Sequence, residues 1–448
     1  MSDRLASLTE RLLDAARKAG AETADAIAVE GTSINIDVRG GKLEQAERSE
    51  GTDIGLRVLI GRRQASVSAS DTSDQTIAQM AERAVAMAKE APEDPTAGLA
   101  DPEQLARDWD VAALDLEDPS DEPDPQTLED RARAAEAAAV AVSGVSQSDG
   151  ASAGYGRRAH HLAATNGFAG GYARTSHGVS CTAITGTGTG MERDHAFEGR
   201  LHAADMPAPE EIGRLAGERA AALAGMRRPK TGAFPVLYDE RISSGLIGHL
   251  LSAINGTAVA RGASWLRDAM GQQVLPDWLS ITEDPHRPRA AATRPFDAEG
   301  LATAQRKIVD AGHLHGWALD LATGRKLGLP STANATRGTS SPPSPGVFNI
   351  ELTAGPKSRA ELMAEMGTGL MVTSLLGSSI NPTTGDYSRG ASGFWIENGE
   401  IAYPVNECTL AGNLRDMLMR ITPANDARAH RSYRVPSLLV EGLTLAGE

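Results

Sequence analysis

The stretch from Asn381 to Leu414 constrains the fold of this chain more than any other. It reads Asn381-Pro-Thr-Thr-Gly-Asp-Tyr-Ser-Arg-Gly-Ala-Ser-Gly-Phe-Trp-Ile-Glu-Asn-Gly-Glu400 and continues Ile-Ala-Tyr-Pro-Val-Asn-Glu-Cys-Thr-Leu-Ala-Gly-Asn-Leu414. Asn381-Pro382 and Thr384-Gly385-Asp386 are turn chemistry. Phe394-Trp395-Ile396 is an aromatic and β-branched run that suits a strand. Asn398-Gly399 permits the positive φ of a tight hairpin, with Ile401 to Val405 returning. The block therefore reads as loop, strand, turn, strand and a helix start at its end.

Elsewhere, helical and strand periods alternate. Leu5, Leu8, Leu12 and Leu13 share one face of a helix over 4–19. Ile27, Val29, Ile34, Ile36 and Val38 mark a strand over 24–38, closed by Gly40-Gly41. Residues 43–49 read as a second strand, and 55–60 with 64–69 as a hairpin. Asp71-Thr-Ser-Asp74 supplies caps for a helix over 75–90. Residues 91–124 are rich in Pro, Asp and Glu and read as an ordered connector with a short helix near 102–108. Helices are predicted over 126–143, 208–225 (opened by Pro207), 241–254, 297–311 and 358–367. Several alternating segments fill 145–204, and 232–238 is strand-like. Residues 321–346 read as a long irregular segment. The expected fold is α+β, with an N-terminal antiparallel sheet packed by helices. A C-terminal, strand-rich domain should close like a distorted barrel with helices around it. Expected boundaries are 1–100, 101–230 and 231–448.

With 448 residues, more than one core is required. The net charge of −15 opposes nucleic-acid binding, which needs a basic surface. No apolar run approaches the roughly 18 residues of a membrane span, and Met1 to Leu8 has no secretory character. Two distant cysteines, Cys181 and Cys408, fit a reducing cytoplasm.

Catalytic patterns are sparse. None of the ten histidines is followed by glutamate, so the helical His-Glu-x-x-His metal motif is absent. His313 and His315 would share a strand face and could meet one metal, but no third donor is near in sequence. Gly150-Ala-Ser-Ala-Gly154 matches a nucleophile pattern without the flanking strand and helix. Gly186-Thr-Gly-Thr-Gly190 lacks the Lys-Ser/Thr ending of a phosphate loop. Glycine-rich polar segments can hold an extended peptide by adding it to a sheet edge, and Asn334, Arg337 and Arg389 are candidates to touch peptide or a partner subunit.

The 381–414 block resembles the TldD/PmbA family of zinc-dependent peptidase proteins, on its PmbA (TldE) side. So do Gly51-Thr-Asp-Ile-Gly-Leu-Arg-Val58, Ala91-Pro-Glu-Asp-Pro-Thr-Ala-Gly-Leu-Ala100, Met191-Glu-Arg-Asp194, the 324–338 stretch and Val435-Pro-Ser-Leu-Leu-Val-Glu-Gly-Leu443. The resemblance implies a subunit of a cytoplasmic peptide-processing complex. The TldD-type partner would hold zinc through His-Glu-x-x-x-His and a C-terminal cysteine. Here the matching helix reads Ser244-Gly-Leu-Ile-Gly-His249, and Asn425-Asp-Ala-Arg-Ala-His-Arg431 offers no cysteine. The implied role is therefore peptide positioning, with His249 a contact residue, no catalytic or metal-binding residue in this chain, and zinc in the partner. A homodimer is a second expected assembly. The rival readings are a peptidase working alone through an unrecognised site at His249, His313 or His315, and a peptide-binding scaffold.

Overall fold

The computed structural model describes residues 3–448. Helix α1 (Asp3–Ala19) buries Leu5, Leu8, Leu12 and Leu13, the stripe its spacing requires. Strand β1 (Thr23–Arg39) pairs antiparallel with β2 (Lys42–Ile60), which continues into β3 (Arg63–Ala69). The two strands expected over 43–49 and 55–60 are one. Residues 42–51 are exposed and carry no apolar alternation, although they pair with β1 along their length apart from a bulge at Glu44. Helix α2 (Asp74–Glu90) starts at an N-cap on Ser73.

The connector forms a 3₁₀ turn at Pro102–Gln104 and a short helix α3 (Val111–Leu114), rather than one helix near 102–108. Helix α4 (Pro125–Val140) leads into three long strands: β4 (Val145–Ala164), β5 (Ala169–Thr185) and β6 (Glu192–Arg200). These join the first three strands in one antiparallel sheet, ordered β3-β2-β1-β4-β5-β6. Helix α5 (Pro209–Ala222) is opened by Pro209 at its first position, not by Pro207. Alternation decides what each sheet face meets. Ala24, Ala26 and Ala28 pack on α1 and α2, and Ile34, Ile36 and Val38 pack on α4 and α5. Ile27 and Val29 point the other way, into a smaller cluster with Leu162, Tyr172 and Phe296.

The second half begins with β7 (Gly232–Tyr238), α6 (Glu240–Ala253) and α7 (Gly256–Ala260). Short strands follow: β8 (Ile281–Glu283), β9 (Arg306–Asp310) and β10 (His313–Leu314). The helix expected over 297–311 does not form. The Asp297 carboxylate instead accepts the amides of Glu299, Leu301 and Ala335, which folds the chain into a turn before β9. Within 321–346 the chain forms α8 (Leu321–Leu327), opened by a capping box of Asp320 and Thr323. A two-rung ladder of β11 (Ala335–Thr336) and β12 (Ser344–Pro345) follows. Strand β13 (Ile350–Leu352) and helix α9 (Arg359–Met366), capped by Ser358, lead to the last sheet.

That sheet is built from β14 (Gly369–Ile380), β15 (Asp386–Glu397) and β16 (Glu400–Asn413). Helix α10 (Leu414–Leu418), β17 (Ile421–Pro423), β18 (Tyr433–Arg434) and β19 (Leu438–Ala446) complete it and its surroundings. The order is β16-β15-β14-β7-β19-β17, and β16 also pairs with β19, so the strands close into a barrel. Asn398 (φ 54°) and Gly399 (φ 78°) make the predicted tight turn between β15 and β16. Asn413 caps α10, the helix start read at Leu414. The barrel core includes Tyr238, Trp395, Leu410 and Leu445. The architecture is the α+β arrangement expected from sequence, with a closed C-terminal barrel.

Candidate functional site

A cleft of about 1050 Å³ lies where β6 and the end of α5 face α6 and the β14–β15 pair. Its wall at α6 follows from helix periodicity. Asp239 caps the helix by accepting the Arg241 amide, at 3.1 Å. Leu246, Ile247, Leu250 and Leu251 turn into the barrel core, so Arg241, Ser244 and Gly245 face the cleft. At Gly245 a Cβ would meet nothing within 4 Å, which leaves this face open.

Ion pairs tie the two walls together. Arg241 Nη1 donates to Asp194 Oδ2 on β6 at 2.9 Å. Arg428 reaches Glu198 on β6 and Glu240 on α6, each at 2.5 Å. Burial would raise the Glu198 carboxyl, but its hydrogen bond from Arg200 and the charge of Arg428 hold it below the ordinary glutamate value. A second cavity of about 480 Å³ adjoins, sharing Phe197, Arg241, Ser244, Arg428 and Arg431. There His430 is driven down to about 4 by burial and by the Arg200 charge.

The opposite wall carries a distinct backbone feature. Strand β7 pairs with β14 only over Leu370–Val372 and then gives way to α6. Beyond that point, Thr373 to Ile380 has β15 as its strand partner on one side. Among the described residues no strand pairs with its other side. Thr373, Ser374, Leu375 and Leu376 from this segment line the cleft, and Leu376 is 69% exposed.

Of the four contact residues read from sequence, one lines the cleft and a second lies behind it without lining it. Arg389 lines the cleft, and its Nε approaches the Leu376 carbonyl at 3.5 Å. It has no carboxylate within ion-pair distance among the described residues. His249 sits edge-on to Tyr387, with ring centroids 5.9 Å apart. Burial, then the Arg389 charge, depresses its imidazole. The other two lie elsewhere. Asn334 is buried and pins loops, donating to Glu283 Oε1 and the Gly346 carbonyl, both at 2.9 Å. Arg337 pairs with Asp25 of the N-terminal sheet.

Among the described residues, no three His, Cys, Asp or Glu side chains converge as a metal-binding group. His313 and His315 are both exposed, and His313 Nδ1 lies 2.8 Å from the Ala311 carbonyl oxygen. Ser152, from the Gly-x-Ser-x-Gly pattern, lies within β4 and donates to Asp37. The acids and arginines that join the cleft walls, Asp194, Glu198, Glu240, Arg241 and Arg428, were not read from sequence as site residues, although Asp194 and Arg428 lie in stretches quoted for the resemblance. They are scattered over more than two hundred residues and form no local motif.

Comparison with known proteins agrees with this architecture. Residues 24–88 match PmbA/TldA metallopeptidase domain 1, residues 118–224 the central domain and residues 231–447 the C-terminal domain. The metalloprotease PmbA of Escherichia coli O157:H7 is 36% identical over 418 residues, covering 93% of this chain and 90% of that protein. A Bacteroides thetaiotaomicron protein, solved as a candidate modulator of DNA gyrase, superposes with a TM-score of 0.92 at 26% identity. The match spans 100% of both chains. TldE from Thermococcus kodakarensis shares the fold, with a TM-score of 0.86 at 19% identity over 98% of this chain and all of that one. The chain belongs to the PmbA/TldD family of metallopeptidases.

Proposed function

We propose that this chain is the PmbA/TldE-type subunit of a peptidase complex and holds an extended peptide for a zinc-bearing TldD-type partner. The observation that carries this reading is the side of Thr373–Leu376 that has no strand partner among the described residues and lines the same cleft as Ser244 and Gly245 of α6. A peptide laid there would pair its backbone with β14 as an added strand. Its side chains would face the apolar Leu376 and Phe197 on one side and the ionic wall on the other. Arg389, free of a carboxylate, is placed to take an acidic side chain or a C-terminal carboxylate.

Donor chemistry supports assigning the metal to the partner. A zinc centre needs three or four His, Cys or carboxylate donors. The helix here offers Ser244, Gly245 and the single imidazole of His249, and the cleft acids Asp194 and Glu198 are already held by Arg241 and Arg428. The contribution of this chain is then orientation of the scissile bond rather than activation of water. A cytoplasmic setting is consistent with the two buried free thiols, Cys181 and Cys408. Among the described residues no helix is long and apolar enough to cross a membrane.

The test is co-expression with a TldD-type chain, followed by cleavage of an unfolded peptide by each chain alone and by the pair. Cleavage by the pair and not by this chain is expected. Arg389→Ala in the pair should raise KM about tenfold or more, the worth of a charged hydrogen bond. Cleavage by this chain alone with stoichiometric zinc would refute the assignment.

A further inference from the structure

A cavity of about 280 Å³ lies away from the cleft, between the N-terminal sheet and the second half of the chain. Its floor is the sheet face that alternation turns away from the helices: Ile27 on β1, Leu162 on β4 and Tyr172 on β5. Its roof is Arg294, Phe296 and Arg337 from C-terminal loops. The apolar part is ordered by ring contacts, with Tyr172 and Phe296 centroids 5.7 Å apart.

The charged part is unbalanced. Arg158 and Arg174 stand directly opposite each other on β4 and β5, and both line the cavity. Like charges in that register destabilise a sheet unless something offsets them. Arg174 donates to the carbonyls of Ala291 and Thr293, and Arg294 lies over the Phe348 ring at 4.2 Å. Among the described residues neither these two nor Arg158 has a carboxylate within ion-pair distance. The one acid lining the cavity, Asp297, is occupied by three backbone amides. Asp25 serves Arg57 and Arg337.

Unpartnered donors remain. The Arg337 side chain is 1% exposed and pairs through Nη1, yet its Nη2 has no protein partner, and neither does Arg294 Nε. A buried guanidinium donor without an acceptor is costly. His160 lies among the same arginines, and burial together with their charge drives its imidazole to about 3, so it stays neutral.

We infer that this cavity binds a small multivalent oxyanion, a carboxylate- or phosphate-bearing molecule with an apolar body. The planar forks of Arg158, Arg174, Arg294 and Arg337 match such oxygens. The apolar floor accommodates the rest. Because Arg158 and Arg174 belong to the sheet and Arg294 and Arg337 to the second half, an occupant would bridge the two.

The probes are citrate and inorganic phosphate, titrated calorimetrically into the full chain, with sodium chloride at matched ionic strength as control. Saturable binding of citrate or phosphate, one per chain, is expected, with a raised melting temperature. Citrate alone would identify a carboxylate site and phosphate alone a phosphate site; binding of both would identify a general multivalent anion site. Arg158 is exposed, so Arg158→Gln should fold and weaken binding about tenfold or more. Arg267→Gln, at an exposed pair with Asp268, should leave it unchanged. Absence of saturable binding, or equal affinity in Arg158→Gln and the parent, would overturn the inference.

Discussion

Replacing Asp25 by asparagine tests how the two halves are held together. The Asp25 carboxylate sits between Arg57, whose Nε donates to it at 2.7 Å, and Arg337 from the far half of the chain. Side-chain exposures are 6% for Asp25, 5% for Arg57 and 1% for Arg337. Asparagine keeps the shape but removes the carboxylate charge that contacts both cations. Breaking a buried ion pair costs about 3–5 kcal/mol, because a bare charge stays behind. That is a large part of the about 5–15 kcal/mol that stabilises a typical domain. Arg337→Met is expected to cost less, about 1–3 kcal/mol, since the Asp25–Arg57 pair survives it. Urea denaturation followed by fluorescence gives both values. Trp109 reports on the junction, because it packs on Phe296 from the second half with centroids 5.0 Å apart. The reasoning fails if Arg337→Met costs as much as Asp25→Asn. It also fails if Asp25→Asn costs under about 1 kcal/mol, which would place the pair among weak surface bridges.

Further expectations follow from the same geometry. Gly55→Ala would place a Cβ 2.1 Å from the Thr339 carbonyl oxygen, so the loop carrying Arg337 must shift. A loss of about 1–3 kcal/mol in a melting comparison is expected from such overpacking. Glu299 is raised above the ordinary glutamate value by burial and then by the neighbouring Asp297 charge. An acid raised on folding stabilises the protonated protein and loses that contribution as pH rises. Glu299→Gln should therefore gain melting temperature over the parent at alkaline pH and show no gain near pH 4. Asp118 runs the other way. Burial would raise it, but the amides of Ala203 and Ser120 outweigh that and lower it to about 2. Its contribution is complete above its ordinary value of 3.8 and fades as pH falls towards 2, so Asp118→Asn should flatten the acid limb of a stability–pH profile.

Local periodicity made much of the fold legible. The Leu5–Leu13 stripe, the Asn398-Gly399 turn and the Ser358 cap each act within a few residues, and each appears in place. The misreadings share a cause. The middle of β2 has no apolar face, because its pairing with β1 is a backbone matter. The turn at Asp297 depends on the Leu301 amide and on that of the distant Ala335, and the latter lies outside any window over 297–311. The candidate cleft divides in the same way. Arg389 could be picked out because it lies inside a recognisable block. Arg428, Glu198 and Glu240 meet only after the chain has folded, so their association leaves no trace in spacing.

The closing strand of the barrel sets a schedule for biosynthesis. Strand β19 is hydrogen-bonded to both β7 and β16, and the Glu448 amide bonds back to the Pro229 carbonyl. On the ribosome, β7 must therefore wait for some two hundred residues before this neighbour emerges. Until then β7 and β16 are nascent surfaces able to capture foreign strands. A translating cell has to shield this half of the molecule until β19 has emerged, whereas the first sheet can settle long before.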